Sequence, residues 1–234
     1  MKVKLLLLTL LLSATLASAQ PAMGTFSVIP RVGLNLSNNK GDAIYTISDG
    51  GDVANTARMK AGLLAGFDLE WQALPSVAFS IGASYSQQGC RYSNNSILTE
   101  SGKTSKYKGF SDASTKLDYI NVPLFMSCYL AQNLAVKVGV QLGFNVKAKT
   151  EYTSSDFTRD EAGNVTYGTP EKVDTKIDAR AMDVAIPVGI SYEYCNVILD
   201  VRYNVGLLQT VRKADVSGTR NQVLAFSAGY RFKL

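Results

Sequence analysis

Residues 133–148 read Asn-Leu-Ala-Val-Lys-Val-Gly-Val-Gln-Leu-Gly-Phe-Asn-Val-Lys-Ala. Leu134, Val136, Val138, Val140, Leu142, Phe144 and Val146 alternate without exception with small, polar or charged residues. Successive side chains on a strand point to opposite faces, so a period of two sustained this long specifies an extended, two-faced strand. One face is wholly apolar, and the other carries Lys137, Gly139, Gln141, Gly143, Asn145 and Lys147. A chain built of such segments must find an apolar environment for one face and a polar one for the other.

The pattern recurs. Strands are expected at about 25–36, 59–71, 77–87, 117–130, 133–148, 180–194, 197–208 and 221–234, each with an apolar and a polar face. In the second, Ala61, Leu63, Ala65, Phe67, Leu69 and Trp71 oppose Gly62, Gly66, Asp68 and Glu70; in the seventh, Val197, Leu199, Val201, Tyr203, Val205 and Leu207 oppose Asp200, Arg202, Asn204 and Gly206. The fourth is less regular, with Tyr119 and Phe125 facing away from Ile120, Val122, Leu124 and Met126, which implies bulky fill on the polar side. Short turns are expected at Ala73-Leu74-Pro75-Ser76, Ala131-Gln132 and Cys195-Asn196. Long polar loops are expected at about 37–58, from the end of the third strand to about 115, and at 149–178, with a moderate one before the last strand.

The N-terminus adds a compartment. Lys2 and Lys4 precede the apolar run Leu5–Leu12, and Ala17-Ser18-Ala19 supplies a small-x-small cleavage site, which makes residues 1–19 a signal peptide and Gln20 the first mature residue. No Cys follows the cleavage site to carry a lipid, and no later apolar run has the ~20 residues of a spanning helix. Any membrane residence must come from strands.

Eight two-faced strands behind an export signal, joined alternately by short and long connections, predict an all-β fold: an eight-stranded antiparallel up-and-down transmembrane β-barrel in the outer membrane of a Gram-negative cell. Short turns would face the periplasm and long loops the exterior. Closure would pair every strand edge, as lipid demands. Residues 20–234 then form one barrel domain, since no linker or composition shift divides them. Periodicity alone leaves open a soluble lipocalin-like ligand carrier, whose apolar face would point inward. Gly and Ser on the polar face and aromatics toward the strand ends, at Trp71, Tyr85, Tyr192, Tyr194, Tyr230 and Phe232, favour the inverted membrane arrangement.

Three segments resemble the PorT-like small outer-membrane β-barrel family of Bacteroidota: Arg31-Val32-Gly33-Leu34-Asn35-Leu36-Ser37, Leu117-Asp118-Tyr119-Ile120-Asn121-Val122-Pro123-Leu124-Phe125, and Leu199-Asp200-Val201-Arg202-Tyr203-Asn204-Val205-Gly206-Leu207. Arg31 stands where Lys is common in that family. The resemblance implies fold and location, and for some relatives a link to type IX protein secretion. Ser227, Gly229, Phe232 and Leu234 also resemble the C-terminal signal of clients of the barrel-assembly machinery. The expected partners are therefore outer-membrane lipid, that machinery, and a secretion-complex or extracellular partner at the outer loops of a monomer.

Chemistry is sparsely signalled. The chain has no His, which removes the usual general base of outer-membrane hydrolases. A loop-based hydrolase would need a carboxylate pair from Asp156, Asp160 and Glu161, which read more simply as a solvated acidic loop. Asp49-Gly50-Gly51-Asp52 lacks the ordered oxygen spacing of a calcium loop. No catalytic, metal or cofactor residue is expected. The 24 basic residues, two of them in the leader, are dispersed among 19 acidic ones, so nucleic acid is not indicated. Arg31, Lys137, Lys147, Arg202 and Arg231 with Asp68, Glu70, Asp183, Glu193 and Asp200 form the expected lumen charge set, read as paired fill rather than an ion path. Cys128 and Cys195 both fall near periplasmic strand ends, which leaves a disulfide between them open, while Cys90 makes the count odd.

Overall fold

A computed structural model of the chain describes residues 21–40, 57–210 and 219–234. The expected signal peptide and Asp49–Asp52 lie outside the described residues. Within them the regular structure is all strand: β1 (Phe26–Lys40), β2 (Ala57–Arg58), β3 (Lys60–Leu74), β4 (Val77–Tyr92), β5 (Asn95–Glu100), β6 (Thr104–Ala131), β7 (Leu134–Asp160), β8 (Val165–Tyr167), β9 (Glu171–Lys176), β10 (Met182–Tyr194), β11 (Val197–Gln209), β12 (Arg220–Tyr230) and β13 (Phe232–Lys233). No helix among the described residues is long and apolar enough to cross a membrane, which says nothing of strands.

Every ladder is antiparallel. From β1 the pairing runs to β3, β4, β6, β7, β10, β11 and β12, and β12 pairs back onto β1 from Arg31↔Gly229 to Lys40↔Arg220. After Arg231, β13 continues the seam through Val28↔Phe232 and Ser27↔Lys233, and Leu234 N–H donates to the Phe26 carbonyl at 2.9 Å. Backbone donors and acceptors along these strands are thus met by neighbouring strands, whichever solvent surrounds them.

Register puts the expected apolar faces outside. Val32, Leu34, Leu63, Phe67, Ile81, Leu124, Val138, Val140, Val188 and Phe226 are exposed, while Asn35, Asp68, Glu70, Ser80, Asn121, Lys137 and Asp200 are buried. The soluble-carrier arrangement has the opposite sense. Phe26, Trp71 and Phe79 stack in sequence with ring centroids 6.4 Å apart, and Tyr230 meets Phe232 at 4.9 Å, so aromatics gather on the outer face near the short turns.

Those turns are two-residue hairpins. Leu74↔Val77 closes over Pro75-Ser76, Ala131↔Leu134 over Gln132-Asn133, and Tyr194↔Val197 over Cys195-Asn196. Cys195 and Asn196 have φ of 49° and 65°, the pair of positive values that a type I′ turn needs to match the strand twist. Cys90, Cys128 and Cys195 are all free thiols, so the Cys128–Cys195 disulfide that the sequence leaves open is not formed.

Two of the expected long loops are mostly strand. β6 begins at Thr104 and β7 runs to Asp160; between them they pair from Thr104↔Asp160 down to Ala131↔Leu134. β5, β8 and β9 add to the edges of this extension. The physical reason is composition. Beyond Leu117 and Ala148 the outward positions are no longer held to apolar residues, so Thr, Lys, Ser and Tyr replace the alternation that marks the strands below, and the period-two signal disappears although the pairing continues and Phe110, Ala113, Thr115 and Thr150 stay buried.

Candidate functional site

The interior is built from the inward positions of the strands in layers. Nearest the short turns, Arg231 donates from Nη1 to Glu70 Oε1 at 2.7 Å and from Nε and Nη2 to the Glu193 carboxylate at 2.9 Å each, while its Nη2 also donates to the Tyr129 hydroxyl at 3.3 Å. Tyr129 in turn donates to Glu70. Alternation places Glu70 on β3, Glu193 on β10 and Arg231, which keeps the inward parity of Val223, Ala225 and Ser227 on β12, on one interior level.

One layer further, Arg31 and Arg202 both reach Asp68, and Arg31, Arg202 and Lys137 all reach Asp200; the Lys137–Asp200 pair spans 3.0 Å and the Arg202–Asp68 pair 3.4 Å. The Arg202 guanidinium also lies over the Phe125 ring at 4.5 Å, which explains the aromatic on the polar face of β6. Gly82 opposes Asp68 because a Cβ there would overlap the carboxylate, and a Cβ at Gly189 would press on Arg202 Cγ at 3.1 Å. The two layers hold four cations (Arg31, Lys137, Arg202, Arg231) and four carboxylates (Asp68, Glu70, Glu193, Asp200), so 4 − 4 leaves no net charge. Neutrality matters here: a buried ion without a partner costs several kcal/mol, and one that is paired and hydrogen-bonded recovers most of that.

Above the charges lie amides and hydroxyls. Asn35 Nδ2 and Gln88 Nε2 each donate to Ser86 Oγ at 2.8 Å, Asn221 bonds Gln88, and Thr115 meets Thr150 at 3.1 Å. Cys90, Tyr92, Phe110 and Ala113 then pack as an apolar cluster at the level of the extension.

Eight of the ten expected lumen charges come together in these two layers. Lys147 does not. The register shifts between Asp118↔Lys147 and Tyr119↔Asn145, leaving Val146 as an extra residue; this bulge turns Lys147 to the outer face, where it is half exposed and 4.0 Å from Asp118. Asp183 lies beside the interior but makes no ion pair among the described residues, and its Oδ1 accepts instead from the Val184 N–H. Of the acidic trio, Asp160 is committed to Asn164, accepting from its backbone N–H at 2.8 Å and its Nδ2 at 2.9 Å, which closes the β7–β8 turn and holds the Asp160 carboxyl below the ordinary range. Asp156 is the ladder partner of Lys108 and Glu161 is exposed in the turn, so the three form no enclosed site.

Sequence reasoning missed a charged outer rim. Arg58, Arg91, Lys116, Lys149 and Glu151 occupy outward positions just beyond the apolar face. Lys116 and Lys149 both bind the Glu151 carboxylate and hold it down to about 2, and Asp174 adds a 3.2 Å contact to Lys149. The signal is present in Lys147, Lys149 and Glu151, which alternate as a strand face does.

With this geometry in place, the comparisons with known proteins decide the family. Residues 18–212 match the model of the family described as outer membrane protein beta-barrel domain. The chain belongs to that family. Membership accords with an all-β antiparallel sheet whose apolar face is outside, and it places the protein in the outer membrane. Among solved structures, the attachment invasion locus protein Ail of Yersinia pestis is 14% identical, with 90% of this chain and 100% of that chain covered and a TM-score of 0.40. Neisserial surface protein A is 13% identical, with 88% and 97% covered and a TM-score of 0.42. The outer membrane protein AlkL is 16% identical, with 93% and 94% covered and a TM-score of 0.33. Likeness at this level carries no functional argument. No curated protein matches.

Proposed function

We propose that the protein is a non-enzymatic, integral outer-membrane barrel of eight strands, with residues 1–19 removed on export, its hairpin turns in the periplasm and its long connections outside. The observation that carries this reading is the inversion of the sheet: an exposed apolar face around an interior whose charges cancel. Lipid fits the first and a plugged, non-catalytic lumen fits the second. The work of such a barrel falls to its outer connections, which bind a partner while the monomer serves as a rigid mount. Heat-modifiable migration of the detergent-extracted protein, with protease protection of the turn end in intact cells, tests the fold and orientation; a species that stays soluble without detergent would overturn both.

The three motifs that resemble PorT-like proteins extend this to an accessory role in type IX protein secretion. The experiment is deletion in the native host: accumulation of type IX cargo inside the cell supports the role, and unaltered cargo export sinks it. The Ser227, Gly229, Phe232 and Leu234 pattern makes the barrel-assembly machinery the inserting partner.

A further inference from the structure

On β4 and β6 one unbroken register, from Val77↔Cys128 to Arg91↔Ser114, keeps Phe79, Ile81, Tyr85 and Arg91 on the same face as Met126, Leu124, Ile120 and Lys116. That is the exposed apolar face. Following it away from the short turns, the apolar side chains end at Tyr85, whose hydroxyl donates to Asp118 at 2.8 Å; Gln87 and Asp118 come next, then Lys116 opposite Gly89, then Arg91. The cations therefore stand beyond the apolar belt, on the surface that faces outward.

Their arrangement is one a protein in plain water would avoid. Arg58 is the ladder partner of Arg91, and on the seam between β1 and β12 Lys40 is the ladder partner of Arg220. Cross-strand partners have Cβ atoms about 4.5–5.5 Å apart, and like charges there repel. All four side chains are exposed, and none makes an ion pair with a described residue. Lys40 and Arg220 share their face with Val32, Leu34 and Phe226, so they too sit on the outer surface, beyond the apolar belt. Around Arg58 and Arg91 the surface is hollowed into a cavity of about 590 Å³ that Lys60, Lys116, Asp112 and Glu151 help to line. Glu151 is already occupied by Lys116 and Lys149.

We infer that the Arg58–Arg91 hollow and the Lys40–Arg220 pair bind the phosphate groups of a phosphorylated glycolipid in the outer leaflet. This rests on the membrane reading above. The location selects the ligand: a lipid whose acyl chains cover the apolar belt holds its headgroup at the level of these cations, and two arginines side by side offer a phosphate more than one N–H fork. A phosphate lying between ladder partners converts their repulsion into attraction for both.

The test uses the full-length mature protein refolded into vesicles of phosphatidylcholine alone or with diphosphoryl lipid A, with flotation and thermal unfolding as readouts. Lipid A should raise the unfolding midpoint of the parent. The increase should shrink in the Arg58→Gln, Arg91→Gln double variant and in Lys40→Gln, Arg220→Gln, and vanish when all four are replaced. In phosphatidylcholine alone the variants should melt at or above the parent, because a repulsive pair has gone; this also establishes that they fold. Equal increases in parent and variants overturn the inference. So does a full increase produced by inorganic phosphate in phosphatidylcholine vesicles, which would mean a free-anion site, or one produced only by a sulfated polysaccharide, which would mean a soluble partner. Failure of the parent to float with either vesicle overturns the membrane reading and this inference with it, whereas flotation without a lipid A effect overturns this inference alone.

Discussion

Arg231 is the single cation shared by Glu70 and Glu193, and replacing it with Met gives the sharpest test of how the interior is held. All three side chains are buried, and the guanidinium makes contacts of 2.7 to 2.9 Å with both carboxylates. At an effective dielectric near 20, a unit pair at about 4 Å is worth ~4 kcal/mol, so the two attractions together are large, yet most of that offsets the desolvation of three ions. Removing the cation leaves two like charges facing each other without compensation, for which the expected loss is ~3–5 kcal/mol. The Met side chain itself is apolar and of suitable length, so the penalty lies in the stranded carboxylates. Replacing these as well, in Arg231→Met with Glu70→Gln and Glu193→Gln, should recover most of the loss. The assay is urea titration of vesicle-refolded protein, followed through Trp71, the one tryptophan of the chain. A loss below ~1 kcal/mol in the single variant, or no recovery in the triple one, would refute the claim that charge compensation governs the interior.

Charge balance makes a second prediction for the neighbouring layer: its three cations and two carboxylates sum to +1, so Asp200→Asn takes it to +2 and Lys137→Gln to 0. In the same titration Asp200→Asn should therefore be the more damaging, and the reverse order would count against the scheme. Val138→Arg, on the outward face, should cost ~2–4 kcal/mol near the bilayer midplane, while Leu98→Arg on β5, beyond the apolar belt, should cost close to nothing; equal costs in lipid vesicles would sink the orientation. The parent protein should give no steady conductance in planar bilayers, since layered side chains fill its interior, and reproducible channels sensitive to Asp200→Asn would overturn that. Glu151, held at about 2 by Lys116 and Lys149, contributes stability that is present above the ordinary glutamate range and is lost as pH falls from about 4.5 through 2. Because the pair is partly exposed the contribution is at most ~1 kcal/mol, visible as lower amide protection factors along β7 and β9 on acidification and absent from Glu151→Gln; identical pH profiles in the two proteins would remove the linkage.

What can be read from the sequence follows where water and lipid divide. Inside the apolar belt one face must avoid water, so Leu134 to Val146 or Val197 to Leu207 carry a forced alternation and their register follows from it. The same alternation identifies eight of the charges that meet in the interior, because a charge on the polar face of a closed sheet has nowhere else to go. Beyond the belt the outward face is free of that constraint, and the inward one mixes Phe110 and Ala113 with Thr115 and Thr150. Ser105, Lys106 and Lys108 pair with Arg159, Thr158 and Asp156 as regularly as any residues below, yet no hydrophobic period marks them. Alternation misplaces Lys147 for a related reason: a one-residue bulge at Val146 exchanges the two faces, and nothing in the residue types around it reveals which side receives the extra residue. The ladder partners Arg58↔Arg91 and Lys40↔Arg220 are far apart in the chain, so their juxtaposition exists only once the register is known.

The neutrality of the interior also constrains where activity can reside. An ion path needs sites whose binding is incomplete, so that an incoming charge gains something by replacing a partner. Here each carboxylate already holds a cation, Arg202 is further fixed over Phe125, and Gly82 leaves room for the Asp68 carboxylate and nothing more. An entering ion would have to break a buried pair before making one. The outer rim has the opposite property. Its like-charged ladder partners are exposed and make no ion pair with a described residue, so among those residues an anion arriving there meets no pair to displace. Recognition is therefore favoured at the surface beyond the belt and opposed in the lumen, and the two regions can be separated experimentally because Arg91 and Arg231 lie in different layers and share no partner.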